Sequence, residues 1–391
     1  MKIESKTVHW GDRKSTGGFV PVTTPIYTAA SYAYDSMEQL DRIFDLQEEG
    51  PSYARYDNPT RNALEEVMRE LEGGAGAIAC ASGMISIHTA LMAALLDRPK
   101  RVLAANMMYG ATTAMLMKVF DPLGVETTQV DPCDLDAFEA ALKESKPGAV
   151  IVETIANPLL RVPALDKIAN LCRQADVPLI VDNTFATPLL VRPLDLGANI
   201  VCHSVTKYLA GHGDVLGGVI VADQAHFDTI RTLSRTLGPV LGPFESYLTM
   251  RGIKTLALRY ERQCSNAIQV ASWLANHPRV ARVHFPGDPA HADASSIARL
   301  FPKDRYSGLV AFEIKGAGRA EIFQFMEKLQ MIVRATSLGD VHTMILYPAM
   351  ASHRDLSPKH RDRLGIHDNL VRMSIGIEAV DDIIADLEQA F

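Results

Sequence analysis

Two polar residues near the middle of the chain have the types and the placement needed to hold one aromatic cofactor. Lys207 follows two hydroxyl residues in the run Ser204-Val205-Thr206-Lys207, and Asp182 lies upstream at the end of an apolar run. A lysine amine can form a Schiff base with an aldehyde, and a buried aspartate keeps a pyridine nitrogen protonated, so that the ring accepts electrons. Together these two roles predict that the chain binds pyridoxal 5'-phosphate (PLP).

Hydroxyl and glycine residues near this pair offer donors for the cofactor phosphate. In an extended segment alternate side chains share a face, so Ser204 and Thr206 can both donate to one phosphate while the lysine points toward the reacting carbon. The turn Ser82-Gly83-Met84 joins an apolar run to the start of a predicted helix. N–H groups at a helix N-terminus favour anions, and Gly83 lets a phosphate approach the backbone closely. We therefore expect both segments to bind phosphate.

A tyrosine and an arginine complete the set of candidates. Tyr109 follows the predicted strand Arg101–Ala105, where it would either fill the core or stack on the cofactor ring and act as an acid toward a leaving group. Arg372 lies in the predicted strand Val371–Ile375, where it would either form a surface salt bridge or bind a substrate carboxylate through two hydrogen bonds. With a PLP-binding pair elsewhere in the chain, we expect the cofactor and substrate roles.

Composition argues against several classes of protein. The chain has 391 residues, a net charge of −7 at pH 7 and 47% hydrophobic residues, which is typical of a globular protein and not of one that binds nucleic acid or an anionic membrane surface. The five cysteines include no Cys-x-x-Cys pair, so we expect free thiols and no metal site. No secretion signal opens the sequence, and the uncharged stretch 73–96 divides into a strand, a turn and a helix. We therefore expect a cytoplasmic protein.

The order of apolar segments predicts an α/β fold. From 59 to 254, short β-branched strands alternate with amphipathic helices, a pattern that specifies a mostly parallel sheet flanked by helices. Ligands of such sheets collect at the carboxyl ends of the strands, where Asp182, Glu153 and the lysine are expected. Residues 255–391 change to the pattern of a smaller C-terminal α+β domain. The expected cofactor domain is therefore 59–254.

The first 58 residues are predicted to form an irregular N-terminal arm. They contain three prolines, a Gly-Gly pair and many tyrosines and threonines. Such an arm buries little apolar surface alone, so we expect it to pack on another part of the molecule or on a neighbouring subunit. The first helix of the next domain is expected after Asn58-Pro59, with Thr60 as its N-cap.

These features resemble the Cys/Met metabolism family of PLP-dependent enzymes, which includes cystathionine γ-synthase, cystathionine β- and γ-lyases, methionine γ-lyase and the homoserine-ester sulfhydrylases. The similarity extends from about Thr24 to Leu387, and it implies a PLP enzyme of fold type I. The motifs that carry it are Tyr53-Ala54-Arg55, Asn58-Pro59-Thr60, Ser82-Gly83-Met84, Tyr109-Gly110, Glu153-Thr154, Asn157-Pro158, Val181-Asp182-Asn183-Thr184, Ser204 to Asp214, Ser337-Leu338-Gly339 and Arg372 to Glu378.

The resemblance also implies roles for individual residues. Tyr53 and Arg55 would reach the cofactor phosphate of a neighbouring subunit, within a homotetramer built from two active dimers. Asn157, Ser337 and Arg372 would bind the substrate carboxylate or the ring oxygen of the cofactor. The implied cofactor-binding set is Tyr53, Arg55, Ser82, Gly83, Met84, Tyr109, Asp182, Ser204, Thr206 and Lys207.

The activity implied by the resemblance is γ-elimination on a sulfur amino acid of the cystathionine, methionine or homocysteine type, with Lys207 and Tyr109 as catalytic residues. γ-Replacement on an O-acylhomoserine is the alternative, and a relative that keeps the fold without turnover is a third. Asp340-Val341-His342 stands where many relatives have an acid tied to recognition of a second amino group, which weakens a cystathionine-specific interpretation. Ala111 stands where many methionine γ-lyases have cysteine. These departures leave the substrate open.

Overall fold

Two β-sheets organise the molecule. The computed structural model describes residues 1–14, 18–45, 47–351, 354 and 357–391. Within these residues, a large domain surrounds a seven-stranded sheet and a small domain surrounds a five-stranded sheet.

The large sheet consists of short strands that are mostly buried. Its strands are β1 (Gly76–Cys80), β2 (Arg101–Ala105), β3 (Glu126–Val130), β4 (Ala149–Glu153), β5 (Leu179–Asp182), β6 (Ile200–His203) and β7 (Gly218–Ala222). They lie in the order β1-β7-β6-β5-β4-β2-β3, and all are parallel except β7, which pairs antiparallel with β1 and β6. The prediction of a mostly parallel α/β sheet is confirmed.

Helices cover this sheet. The α-helices from the N-terminus through the large domain are Ile3–His9, Met37–Phe44, Pro59–Glu72, Gly83–Leu95, Gly110–Met115, Leu135–Ser145, Leu165–Gln174, Thr187–Leu190, Gln224–Leu237 and Pro243–Ile253. The segment Leu116–Phe120 continues one of them as a π-helical turn, and short 3₁₀ turns occupy Asp121–Leu123 and Pro193–Leu196.

The small domain contains a mostly antiparallel sheet. Its strands are β8 (Val280–His284), β9 (Leu309–Ile314), β10 (Val333–Arg334), β11 (Met344–Leu346) and β12 (Leu370–Ser374), in the order β10-β11-β12-β9-β8. Only β10 and β11 are parallel. Its α-helices are Leu256–Asn276, Ala294–Leu300, Arg319–Lys328, Pro358–Arg363 and Val380–Ala390.

One long helix joins the two hydrophobic cores. In the helix Leu256–Asn276, Leu256 and Tyr260 pack in the core of the large domain, whereas Val270 and Leu274 pack in that of the small domain. Because a single helix carries residues of both cores, it fixes how the domains face each other. Among the described residues, no helix combines the length and the apolar character needed to cross a bilayer.

The predicted cap of the first helix in the large domain was wrong. Asn58, not Thr60, is the N-cap, and its side-chain oxygen accepts the N–H groups of Thr60 and Arg61 at 3.0 and 3.2 Å. Pro59 then occupies the first helical position, where an N–H is not needed. The Thr60 hydroxyl instead donates to the carbonyl of Pro25 at 2.8 Å, and so attaches the arm to this helix.

The N-terminal arm is also less irregular than predicted. It contains the helices Ile3–His9 and Met37–Phe44. Ser36 caps the second of these by accepting the N–H of Gln39 at 3.2 Å. The three prolines of the arm lie outside both helices and so do not interrupt them.

Candidate active site

The carboxyl ends of β4, β5 and β6 form a cleft that the small domain borders. Glu153 ends β4, Asp182 ends β5, and the segment from Ser204 to Lys207 follows β6, as expected for ligand sites of parallel sheets. The cleft contains about 930 Å³ of empty space. Its lining residues are Ser82, Gly83, Met84, Ile87, Tyr109, Glu153, Ile155, Asn157, Asp182, Thr184, Phe185, Ser204, Thr206, Lys207, Leu216, Thr336, Leu338, Leu346 and Arg372.

Lys207 reaches into this cleft, and a side chain of the small domain holds its amine. The Nζ atom donates to Oγ of Ser337 at 3.0 Å. Burial lowers the pKa of Lys207 below its ordinary value of 10.5, and the nearby Arg372 guanidinium lowers it further. The neighbouring Tyr208 is fully buried, which anchors the backbone beside the lysine. The amine is therefore more readily neutral, and so more nucleophilic, than that of a surface lysine.

Asp182 presents a carboxylate whose orientation Thr184 fixes. Its Oδ1 atom accepts the backbone N–H of Thr184 at 3.0 Å and the Thr184 hydroxyl at 2.5 Å. Burial raises the pKa of Asp182, and these two hydrogen bonds oppose that rise because they favour the anion. Oγ1 of Thr184 also accepts the N–H of Ser204 at 2.9 Å, which connects the ends of β5 and β6. The sequence analysis gave Thr184 no role of its own, although Asp-x-Thr at a strand end is a local hydrogen-bonding pattern.

The predicted phosphate-binding segments meet at the N-terminus of the helix Gly83–Leu95. Ser82 caps this helix by accepting the N–H of Ile85 at 3.2 Å. A Cβ atom added to Gly83 would lie only 2.8 Å from Cβ of Ser204, so a side chain at this position would fill the space between the two segments. The close approach of Gly83 to Ser204 therefore requires glycine at position 83. In the second segment, Oγ1 of Thr206 accepts the N–H of Gly217 at 3.0 Å.

Tyr109 and Arg372 both line the cleft, but their exposure differs. Tyr109 is 45% exposed, as an aromatic side chain must be to offer its face to a ligand. Arg372, by contrast, is only 3% exposed. Its Nη1 atom donates to Oδ1 of Asn157 at 2.8 Å, and Nη2 lies 3.4 Å from the carbonyl of Ser337. These contacts bring together the three residues that the sequence analysis assigned to the substrate carboxylate or the ring oxygen.

A buried donor of Arg372 lacks a partner. Among the described residues, none accepts a hydrogen bond from its Nε atom. Burial lowers the pKa of Arg372 to about 10, so the guanidinium still carries its charge near neutral pH. A buried cation with an unused donor is costly unless a ligand supplies an acceptor. The geometry thus fits an anion in the cleft.

Tyr53 and Arg55 lie outside the cleft of their own chain. Neither is among the described residues that line it. The Arg55 guanidinium donates to the carbonyl of Arg235 and lies 4.6 Å from the ring centroid of Tyr56. Tyr53 is 45% exposed. The expectation that these residues serve a neighbouring subunit remains a prediction.

Glu153 lines the cleft, although the sequence analysis gave it no role beyond its place at a strand end. It pairs in register with Asp182 on the adjacent parallel strand and is 7% exposed. Burial, and then the Asp182 charge, raise the pKa of Glu153 to about 8. The signal in the sequence was an acid ending a wholly apolar strand. Its hydrogen-bond partners are backbone groups, which a sequence pattern does not reveal.

His342 stands apart from the residues that line the cleft. Its side chain is 65% exposed, and its Nδ1 atom lies 3.0 Å from Oδ1 of Asp340. Asp340 itself is 5% exposed. Where many relatives have an acid, this chain therefore has an exposed imidazole that contacts Asp340 in its own loop.

Comparisons with known proteins agree with the geometry. Residues 4–391 match the model of the Cys/Met metabolism PLP-dependent enzyme family. The chain is 40% identical over 392 residues to the L-methionine gamma-lyase of Pseudomonas putida, covering 99% of this chain and 96% of that protein. It superimposes on cystathionine gamma-lyase from Lactobacillus plantarum complexed with L-serine with a TM-score of 0.91 and 36% identity, covering 100% and 98% of the two chains. An O-acetylhomoserine (thiol)-lyase from Campylobacter jejuni, with N'-pyridoxyl-lysine-5'-monophosphate, gives a TM-score of 0.92 at 29% identity, covering 100% and 99%.

The residues of the cleft fit PLP. PLP carries an aldehyde, a pyridine nitrogen and a phosphate. These groups require, in turn, an amine with a lowered pKa, a carboxylate and a helix N-terminus. Lys207, Asp182 and Gly83 supply them at one strand edge. A Cβ atom on Gly83 would collide with Ser204, so glycine at this position lets the helix N-terminus and the Ser204 segment lie close enough to bind one phosphate.

Proposed function

Because the chain belongs to the Cys/Met metabolism family of PLP-dependent enzymes, we propose that it is a carbon–sulfur lyase that performs γ-elimination on a sulfur amino acid. The products are a 2-oxo acid, ammonia and a thiol. The observation that carries the proposal is the make-up of the cleft. Its charged lining residues are Glu153, Asp182, Lys207 and Arg372. Several lining residues farther along the chain are apolar, namely Leu216 and Leu338 in loops and Leu346 at the end of β11, and they suit a thioether such as that of methionine.

Arg372 and Asn157 bind the substrate carboxylate in this proposal. Nε of Arg372 has no acceptor among the described residues, and its Nη1 atom donates to the amide oxygen of Asn157. That bond leaves the NH₂ group of Asn157 to donate to the carboxylate or to the ring oxygen of the cofactor. The pair thereby fixes the α-carbon of the substrate relative to the strand ends.

Lys207 moves the protons. When bound, PLP supplies an electron sink that stabilises negative charge next to the α-carbon. The Lys207 amine, whose pKa is lowered by burial and by Arg372, removes the α-proton and returns protons at neighbouring carbons. Ser337 accepts a hydrogen bond from the amine and so keeps it pointed into the cleft. Tyr109 donates a proton to the leaving sulfur.

γ-Replacement is the second candidate function. The likeness to the Campylobacter jejuni O-acetylhomoserine (thiol)-lyase supports it, because that protein has the same fold over the whole chain. In this reaction the carboxylate of the O-acyl ester leaves the γ-carbon and a thiol adds at that carbon, whereas elimination ends when water releases the 2-oxo acid and ammonia. The residues that bind and deprotonate the amino acid would be the same.

A substrate panel distinguishes the two functions. The purified enzyme is supplied with methionine, homocysteine, cystathionine and an O-acylhomoserine, each with and without an added thiol. Ammonia and 2-oxobutanoate formed without an added thiol are expected for the lyase. Thioether formed only when a thiol is present would overturn the lyase in favour of the transferase.

Assembly belongs to the proposal as well. We infer a homotetramer of two active dimers in the cytoplasm, with residues 1–58 as an arm on the neighbouring subunit, 59–254 as the cofactor domain and 255–391 as the C-terminal domain. The arm supports this because Tyr53 and Arg55 lie away from the cleft of their own chain. The five cysteines, all free thiols, support a reducing compartment.

A further inference from the structure

Glu153 bridges two loops that each contribute a residue to the lining of the cleft. Its Oε1 atom accepts the backbone N–H of Tyr109 at 2.6 Å, and its Oε2 atom accepts the backbone N–H of Asn157 at 3.3 Å. Tyr109 belongs to the loop after β2, whereas Asn157 belongs to the loop after β4. Because β2 and β4 are neighbours in the sheet, one side chain at the end of β4 reaches both loops.

We propose that Glu153 is a positioning residue, which sets the ring-contacting Tyr109 and the carboxylate-binding Asn157 at a fixed distance from each other. The proposal rests on the proposed function for the role of Asn157, and on PLP binding for the role of Tyr109. A shift of either loop would change the position of the cofactor ring relative to the substrate carboxylate. Glu153 acts through these two residues and does not itself touch the reacting atoms.

The two loops depend on this carboxyl group because each N–H needs an acceptor. In the described part of the chain, neither N–H donates to a backbone carbonyl. A backbone N–H left without an acceptor inside a protein is costly. Both oxygens of a carboxyl group can accept a hydrogen bond, and the hydroxyl oxygen of a protonated one keeps a lone pair, whereas the amide nitrogen of glutamine only donates. The site therefore requires glutamate, and not merely a polar side chain of that size.

The charges of the two acids in the cleft agree with a positioning role for Glu153. Glu153 and Asp182 end adjacent strands in register, and Thr184 donates two hydrogen bonds to Asp182. Burial and the Asp182 charge raise the pKa of Glu153, whereas the hydrogen bonds from Thr184 oppose the rise at Asp182, so Glu153 holds a proton more readily than Asp182 does. Asp182 then keeps the negative charge that a ring nitrogen needs.

The test compares two variants of Glu153 with a matched control. Glu153→Gln preserves shape, and Glu153→Asp preserves the carboxyl group but shortens its reach. The control is Asp386→Asn in the helix Val380–Ala390. Its carboxylate likewise accepts backbone N–H groups of a loop, from Gln330, Met331 and Ile332 at 2.8 to 2.9 Å, but this loop lies in the small domain outside the cleft lining.

Two quantities are measured for each protein: the Kd of the apoenzyme for PLP by fluorescence titration, and KM and kcat for the lyase substrate at saturating PLP. Each Glu153 variant is expected to raise both Kd and KM by about tenfold, as expected for loss of a hydrogen bond to a buried group. Asp386→Asn is expected to change neither by more than about twofold, even where it lowers the melting temperature.

Glu153 variants with Kd and KM unchanged would overturn the proposal, as would an equal rise in the Asp386 control. If Glu153→Gln does not fold, Glu153→Asp decides, and failure of both to fold assigns Glu153 a purely structural role against the proposal. The PLP titration does not require turnover. If the Glu153 variants raise the Kd for PLP as expected but the parent protein shows no lyase activity, the result counts against the proposed reaction. It does not count against the positioning of Tyr109.

Discussion

Arg372 illustrates how a single buried side chain indicates a ligand. A guanidinium that is 3% exposed has lost its water, and its Nη atoms are held by Asn157 and by the backbone of Ser337. The Nε donor remains unused among the described residues. A carboxylate is the acceptor that matches the planar geometry of this group.

Replacing Arg372 should weaken substrate binding more than cofactor binding. Arg372→Leu removes the carboxylate partner and is expected to raise KM roughly 100-fold, whereas Arg372→Lys, which keeps the charge but loses the planar fork, should raise it about tenfold. Steady-state kinetics measure both. The parent enzyme should also discriminate against the amide of the substrate, and the leucine variant should not. A leucine variant that retains this discrimination would contradict the assignment.

The pKa of Glu153 predicts a pH dependence of stability. In the folded apoenzyme this pKa rises from 4.5 to about 8, so between these values the folded protein holds a proton that the unfolded chain releases. Stability is therefore greatest near and below pH 4.5 for this group and is lost as the pH rises toward 8. Glu153→Gln should flatten the fall in the free energy of unfolding over this window. Urea unfolding at several pH values measures the difference, and identical slopes in the two proteins would refute the prediction.

The pattern of the sequence located Lys207 and Asp182 because each follows or ends an apolar strand whose limits are visible. It did not assign roles to Thr184 and Glu153. Glu153 accepts backbone N–H groups of two loops and Thr184 accepts the N–H of Ser204 beyond the next strand, and these contacts depend on how the strands pair. Side-chain types alone do not encode register.

Two charged pairs connect the two domains, and one is more buried than the other. Asp293, which is 8% exposed, accepts two hydrogen bonds from Arg161 at 2.7 and 2.9 Å and a third from the N–H of Val162 at 2.9 Å. A second bridge joins Arg299 to Asp166 at 3.2 and 3.3 Å, and it is exposed. The first bridge ties down the far end of the loop that carries Asn157.

These two bridges should differ in their contribution to stability. Asp293→Asn removes a buried carboxylate that accepts three hydrogen bonds and takes the counter-charge from the partly exposed Arg161, so it is expected to lower the free energy of unfolding by about 2–3 kcal/mol. Asp166→Asn makes the same chemical change at the surface and should cost less than about 1 kcal/mol. Urea denaturation of the apoenzymes compares them. Equal losses would show that burial of the first bridge does not matter.

Most elements of the large domain were predicted, because its strands are short apolar runs between amphipathic helices. The predicted strand Arg101–Ala105 matches the structure at both ends. β10 and β11 were missed because two and three residues are too few to show a period. The cap at Asn58 was missed because Thr60 is an equally good capping residue by type, and only Pro59 at the first helical position decides between them.

The proposed homotetramer would extend the active site beyond one chain. Arg55 and Lys207 belong to one polypeptide, but only Lys207 lines its own cleft in the described residues. If Arg55 serves the neighbouring subunit, a dimer of two differently inactivated chains contains one intact site.

Mixed dimers test this arrangement. Co-expression of Arg55→Ala with Lys207→Ala should restore lyase activity that neither variant has alone, because one site then combines Lys207 of one subunit with Arg55 of the other. The matched control pairs Lys207→Ala with Asp182→Ala, which removes the carboxylate expected at the ring nitrogen. Both of these residues line the same cleft, so no intact site forms and no activity should return. Recovery in the control, or none in the test pair, would contradict an active site shared between subunits.

The whole account depends on Lys207 as the residue that carries the cofactor. The protein is incubated with PLP, reduced with borohydride, digested and analysed by mass spectrometry, with Lys207→Ala treated in parallel. We expect the phosphopyridoxyl mass on the peptide that contains Lys207, and none on any peptide of the variant. A label on a different lysine, or a variant that is labelled and turns over like the parent, would contradict the account.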